Sequence, residues 1–198
     1  MSKNVDFIFD FGSPNAYLSH KLVGEIEERT GATFNYIPCL LGGLFKLTNN
    51  QPPMLAFGPV KGKLEYEQLE TKRFIEKHKL TKFKFNPHFP VNTLLIMRGL
   101  IAAEMSGAKK KYIDLVLKAM WEEGLKMDDP DVVKQALTEG GLDGDDILAR
   151  TQDPVVKQKL MDNTEAAAAR GAFGIPTFYV GDEMFFGKDR LAQVEELL

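Results

Sequence analysis

A serine beside a proline and two glycine-led turns carry most of the chemistry open to this 198-residue chain. Ser13-Pro14-Asn15-Ala16 follows the short run Val5 to Asp10 and opens a stretch in which Tyr17, Leu18, Leu22, Val23 and Ile26 fall at helical spacing. Ser is a favoured N-cap and Pro a favoured first helical residue, so these four residues mark a helix start. A helix start has free N–H groups and the positive end of the dipole, both of which favour an anion. The hydroxyl of Ser13 is a poor nucleophile without an adjacent base, and no histidine adjoins it. Gly174-Ile175-Pro176-Thr177, by itself an ordinary turn, leads into an apolar run. Phe186-Gly187-Lys188-Asp189-Arg190 precedes the last helical stretch and has two readings. Asp189 caps that helix, or the turn holds a carboxylate on helix N–H groups while Asp189 pairs with an adjacent ammonium.

Composition removes several other chemistries. Cys39 is the single cysteine, so there is no internal disulfide, no C-x-x-C pair and no cysteine-rich metal site. His20, His78 and His88 are scattered without metal-ligand spacing, and no metal is expected. The net charge of −3 argues against nucleic acid as a partner, and Lys109-Lys110-Lys111 reads as a solvated helix face. No run approaches the roughly 20 apolar residues that cross a bilayer, so no membrane partner is expected. Met1 to Asp6 lacks the apolar core of a secretory signal, and the expectation is a cytoplasmic protein.

The elements that must position these residues follow from periodicity. Residues 5–10 read as a strand, 15–28 as a helix and 33–37 as a second strand, a βαβ unit. From about 40 to 160 the character changes. A loop-rich segment with Gly42, Gly43, Asn49, Asn50, Pro52, Pro53, Gly58 and Pro59 precedes helical patterns at about 64–79, 92–106, 109–123, 131–139 and 143–150. A helix at 154–170 follows, then strands at 176–180 and 183–186 around a Gly181-Asp182 turn, and a final helix from near Lys188. The order βαβ…ββα predicts an α/β, thioredoxin-like fold with a large helical insertion. Residues 1–40 and 165–198 would form the thioredoxin-like domain and 41–164 the inserted helical domain. In that frame Ser13 and Ala16 stand at the two cysteine positions of C-P-x-C, with the proline retained. Ser13 would then donate a hydrogen bond to an external thiolate, whose pKa the helix terminus lowers. The proline of Gly-x-Pro-Thr is typically cis there, leaving the Ile175 N–H and C=O to pair with an extended peptide.

Five ordered motifs together carry a resemblance over essentially the whole chain: F-D-F-G-S-P-N-A-Y-L at 9–18, F-K-L-T-N-N-Q-P-P at 45–53, F-N-P-H-F-P-V-N-T at 85–93, N-T-E-A-A-A-A-R-G-A-F-G-I-P-T-F at 163–178 and F-F-G-K-D-R at 185–190. The chain resembles the 2-hydroxychromene-2-carboxylate isomerase and kappa-class glutathione transferase group, relatives of the DsbA oxidoreductases. The resemblance implies glutathione as cofactor, an aromatic small-molecule substrate and a homodimer. It implies a glutathione site of Ser13, Asn50, Ile175, Pro176, Gly187, Lys188, Asp189 and Arg190, with Lys46, Asn49 and Tyr66 on the substrate side. The kappa class usually carries serine where this chain has Lys188, and the isomerase branch tolerates variation there, which favours the isomerase. A glutathione-consuming transferase or peroxidase, and a non-catalytic thioredoxin-like binding module, are the alternatives. His88 is expected to be structural rather than a proton shuttle, Cys39 a packed thiol, and Trp121 core or inter-subunit packing.

Overall fold

The computed structural model describes residues 3–198 and contains a four-stranded sheet in the order β2-β1-β3-β4. Strand β1 (Asn4–Phe9) pairs in parallel with β2 (Thr33–Pro38), Phe9 lying opposite Pro38. Its other edge pairs antiparallel with β3 (Thr177–Val180), which pairs antiparallel with β4 (Glu183–Phe186). β1 is one of the two inner strands, and Val5, Phe7, Ile8 and Phe9 are all buried, covering both faces of its pleat. The Phe7 ring packs against Tyr36 of β2 and Phe178 of β3, each with centroids 4.7 Å apart. Helix α1 (Pro14–Thr30) joins β1 to β2 and stops at Gly31, whose φ of 70° puts it in the left-handed region that glycine adopts without penalty.

The helical block runs from α2 (Leu41–Leu47) through α3 (Pro53–Phe57), α4 (Lys63–Lys77), α5 (Leu94–Met105), α6 (Lys109–Trp121), α7 (Pro130–Glu139) and α8 (Gly144–Arg150) to α9 (Pro154–Ala169). Helix α5 is apolar on nearly every side, with seven buried residues, because it packs against α6, α8, α9 and β2 at once. Gly99 allows the closest of these approaches. A Cβ there would lie 2.2 Å from the hydroxyl of buried Tyr112, which donates to the Ile96 carbonyl at 2.9 Å. Apolar packing is continuous from the sheet through α1, α5, α6 and α9, so the helices and the strands share one core.

The segment read as loop-rich contains two short helices, α2 and α3. Gly42 and Gly43 lower the helix propensity of α2, but packing against α9 overrides it. At Gly43 a Cβ would meet Thr164 at 3.2 Å, so the small residue is what lets the two helices approach. Pro53 occupies the first turn of α3, where its missing N–H costs nothing. After β4 the chain makes a 3-10 turn (Lys188–Arg190) before α10 (Leu191–Glu196), so the last α-helix starts three residues beyond the expected Lys188.

Candidate functional site

The carboxyl ends of β1 and β2 and the loop entering β3 meet at the start of α1. Ser13 caps α1: its Oγ accepts from the Ala16 N–H at 3.2 Å, with extended backbone at φ −93°, ψ 115°. The same hydroxyl donates to the Ile175 carbonyl at 2.9 Å, and Ser13 is only 4 % exposed. Ile175-Pro176 is a cis peptide bond, as the thioredoxin frame led us to expect. The Ile175 N–H donates to no acceptor among the described residues, so this backbone offers one free donor beside a carbonyl with a spare lone pair. An extended peptide needs that pairing to add as a strand.

Two further segments converge on the same loop. Gly187 donates its N–H to the Pro176 carbonyl at 2.9 Å, which ties the start of the Lys188–Arg190 turn to the cis-proline. The Asn50 side chain donates to the Phe173 carbonyl at 2.8 Å and accepts from the Gln51 N–H, so the loop after α2 is tied to the same place. Phe173 packs on Phe186 with centroids 4.6 Å apart. At Gly174 a Cβ would come within 2.7 Å of the Phe186 ring, so the residue before Ile175 must be glycine for this packing. Ser13, Asn50, Ile175, Pro176 and Gly187 are thus brought together from segments up to 174 positions apart.

Lys188 is 4 % exposed, its ammonium 3.1 Å from Asp189 Oδ2 and 5.3 Å from the centre of the Phe74 ring of α4. Asp189 itself is exposed, as is Arg190. Lys46, at the end of α2, and Asn49, in the left-handed region at φ 52°, are exposed on the segment leading to Asn50. Tyr66, on α4, is also exposed. Among the described residues no hydrogen bond ties Lys46 or Tyr66 to the Ser13 turn.

Sequence reasoning missed the groups that hold the Ser13 turn in place. Trp121, fully buried, donates its indole N–H to the Phe11 carbonyl at 2.8 Å. It therefore packs inside the chain, with Phe83 stacked at 5.9 Å, and braces the residue two before Ser13. Asp10 is fully buried and collects three hydrogen bonds, from the Gly12 and Leu41 N–H groups at 2.8 Å each and from the Thr93 hydroxyl at 3.1 Å. Burial pushes its carboxyl above the usual range, and those hydrogen bonds oppose the rise. An acid directly after the apolar run Phe7-Ile8-Phe9 was the available signal. Cys39 is buried, and its thiol is pushed up to about 12 by burial, then by the charge of Asp10. His88 is exposed; its backbone N–H donates to Asn86 Oδ1 at 2.8 Å within the turn.

A strand-turn-helix whose capping residue faces a cis-proline loop, on a sheet of order β2-β1-β3-β4, defines a thioredoxin-like protein. The DSBA-like thioredoxin domain model matches residues 4–198, and the chain belongs to that family. It is 28% identical over 197 residues to 2-hydroxychromene-2-carboxylate isomerase of Pseudomonas putida, covering 98% of this chain and 93% of that one. It is 26% identical over 216 residues to human glutathione S-transferase kappa 1, covering 100% of this chain and 92% of the relative. A solved 2-hydroxychromene-2-carboxylate isomerase superposes with a TM-score of 0.79 at 25% identity, over 98% of this chain and 93% of its own. A probable DsbA oxidoreductase from Streptomyces coelicolor gives 0.71 at 14% identity, over 98% and 89%, a likeness of fold. No helix among the described residues is long and apolar enough to cross a membrane.

Proposed function

We propose that this chain is a glutathione-dependent isomerase of 2-hydroxychromene-2-carboxylate-like compounds. The observation that carries the reading is the Ser13 hydroxyl, held at a helix start 2.9 Å from the Ile175 carbonyl, in a chain whose lone cysteine is buried elsewhere. The residues present fit glutathione: the free Ile175 N–H suits the cysteinyl backbone, and Asp189, exposed beside Gly187, suits the γ-glutamyl ammonium. Bound glutathione would supply the nucleophilic sulfur, which the protein lacks.

The roles of the chain's own groups follow from their chemistry. Ser13 rotates its hydroxyl from Ile175 toward the sulfur and donates to it, while the first N–H groups of α1 favour the anion. Asn50 holds the loop that carries Ile175. Lys46, Asn49 and Tyr66 would meet the substrate, and as exposed side chains they are free to turn toward it. Stabilising an anion in a fixed place supports addition of the thiolate to a conjugated carbon and its later elimination, which returns glutathione, while solvent carries the proton that ring opening moves from the 2-hydroxyl to the phenolic oxygen. Lys188 in place of the kappa-class serine favours the isomerase over a glutathione-consuming transferase. The test follows chromene isomerisation by absorbance with and without glutathione, with free thiol measured in parallel. Isomerisation that needs glutathione and leaves free thiol constant is expected. Stoichiometric loss of thiol would make the chain a transferase, and no turnover with glutathione present would defeat the proposal.

A further inference from the structure

Asp10 lies outside the set of residues assigned above, yet it ties the Ser13 turn to the starts of α2 and α5. Its Oδ1 accepts from the Gly12 N–H, one residue before Ser13, and its backbone carbonyl accepts from the Ser13 N–H at 3.3 Å. Oδ2 accepts from the Leu41 N–H, in the first turn of α2, and from the hydroxyl of Thr93, the residue that precedes α5. One carboxylate thereby fastens the catalytic turn to two helices 31 and 83 residues away. The fit is close: a Cβ at Gly12 would come within 3.1 Å of Thr93. An amide would present an NH2 to donors at one of these positions, so the pattern of three donors selects a carboxylate.

The surroundings leave that charge unpaired. Among the described residues no cation pairs with Asp10. It faces the Leu41 N–H from α2 and the Thr93 hydroxyl from α5. The Cys39 thiol, just past the end of β2, is its titratable neighbour. We propose that Asp10 is a positioning residue of the thiol site, fixing the Ser13 turn and setting an uncompensated negative charge behind the bound thiolate. The proposal rests on the glutathione reading above. Its effect opposes that of the helix terminus: the carboxylate raises the pKa of the bound thiol and so preserves the intrinsic nucleophilicity that falls as a thiol becomes more acidic.

The turn closed by the Ser13 N–H on the Asp10 carbonyl holds the two Cα atoms within about 7 Å, which puts the carboxylate on the order of 10 Å from a sulfur at Ser13. At that distance and an effective dielectric near 20, a unit charge moves a pKa by about one unit. The experiment titrates the ultraviolet thiolate band of bound glutathione against pH in wild type, Asp10→Asn and Asp10→Ser, with thermal melts of each. Asp10→Asn, with its NH2 facing a donor, is expected to melt below wild type but to fold, and to lower the titration midpoint by about one pH unit. Asp10→Ser, also neutral, reports the same shift if the asparagine variant does not fold. An unchanged or raised midpoint would overturn the proposal, because a loosened turn alone would weaken the donors to the thiolate. Unfolding of both variants would overturn it too, leaving Asp10 a purely structural residue. A wild type that binds no glutathione would sink the site reading instead, which keeps the two failures apart.

Discussion

Replacing Ser13 by alanine removes two hydrogen bonds with different consequences. The first is the cap on the Ala16 N–H, long at 3.2 Å, so its loss belongs at the lower end of the roughly 0.5–2 kcal/mol that N-cap deletions cost. The second is the donation to the Ile175 carbonyl at 2.9 Å, a net contribution of about 1 kcal/mol for a buried neutral pair. Together they predict a destabilisation of about 1.5 kcal/mol, which in a domain of this size lowers the melting temperature by about 3–6 °C. Under the proposed function, the loss of activity comes from a different bond, the one the hydroxyl would make to a bound thiolate. A charge-assisted hydrogen bond contributes about 1.5–3 kcal/mol, so isomerisation at saturating glutathione should slow roughly 10- to 100-fold. The assay is absorbance-monitored turnover at a temperature well below the variant's melt, so that folding and chemistry are read separately. A variant that melts as expected but turns over at the wild-type rate would remove Ser13 from the chemistry. One that turns over slowly but melts like wild type would show that the cap and the Ile175 bond contribute nothing to folding.

Three other expectations follow from the packing. Gly99→Ala would drive a methyl group to 2.2 Å from the Tyr112 hydroxyl, so a drop of at least about 2 kcal/mol in chemical denaturation is expected, with the Ser13 turn's chemistry largely kept in the folded fraction. Cys39, buried and with its thiol pushed up to about 12, should react with a disulfide reagent at neutral pH only after denaturant unfolds the chain; rapid labelling of the native protein would contradict that burial. Because the folded pKa of Asp10 is raised, its contribution to stability is fully present below its unfolded value, about 3.9, and is lost as pH rises through its folded value. Urea titrations across that window should show stability falling with pH in wild type relative to Asp10→Asn, and identical slopes would refute the shift.

The framework was legible in sequence because its signals are local. Ser13-Pro14 starts a helix by its own capping chemistry, Gly31 ends it, and the Gly181-Asp182 turn closes a hairpin, all without help from the rest of the chain. Helices α2 and α3 were not legible, since Gly42, Gly43, Pro52 and Pro53 argue against helix, and for α2 only its contact with α9 outweighs the two glycines. The same division runs through the candidate site. Ser13, Asn50, Ile175 and Gly187 sit in recognisable motifs, whereas the bracing by Trp121 and Asp10 depends on partners far away in sequence that no local pattern announces. Lys188 illustrates the point differently. Its place in a turn was legible, whereas its burial beside Phe74 of α4 was not, because only the fold brings that ring near.

The central claim is that the protein binds glutathione as its thiolate. Calorimetric titration of the wild type with glutathione at neutral pH, repeated in two buffers of different ionisation enthalpy, measures both affinity and protons released. We expect saturable binding accompanied by release of a substantial fraction of a proton per site, because free glutathione is mostly protonated at that pH. No heat of binding at millimolar glutathione, or binding with no proton released, would contradict the account.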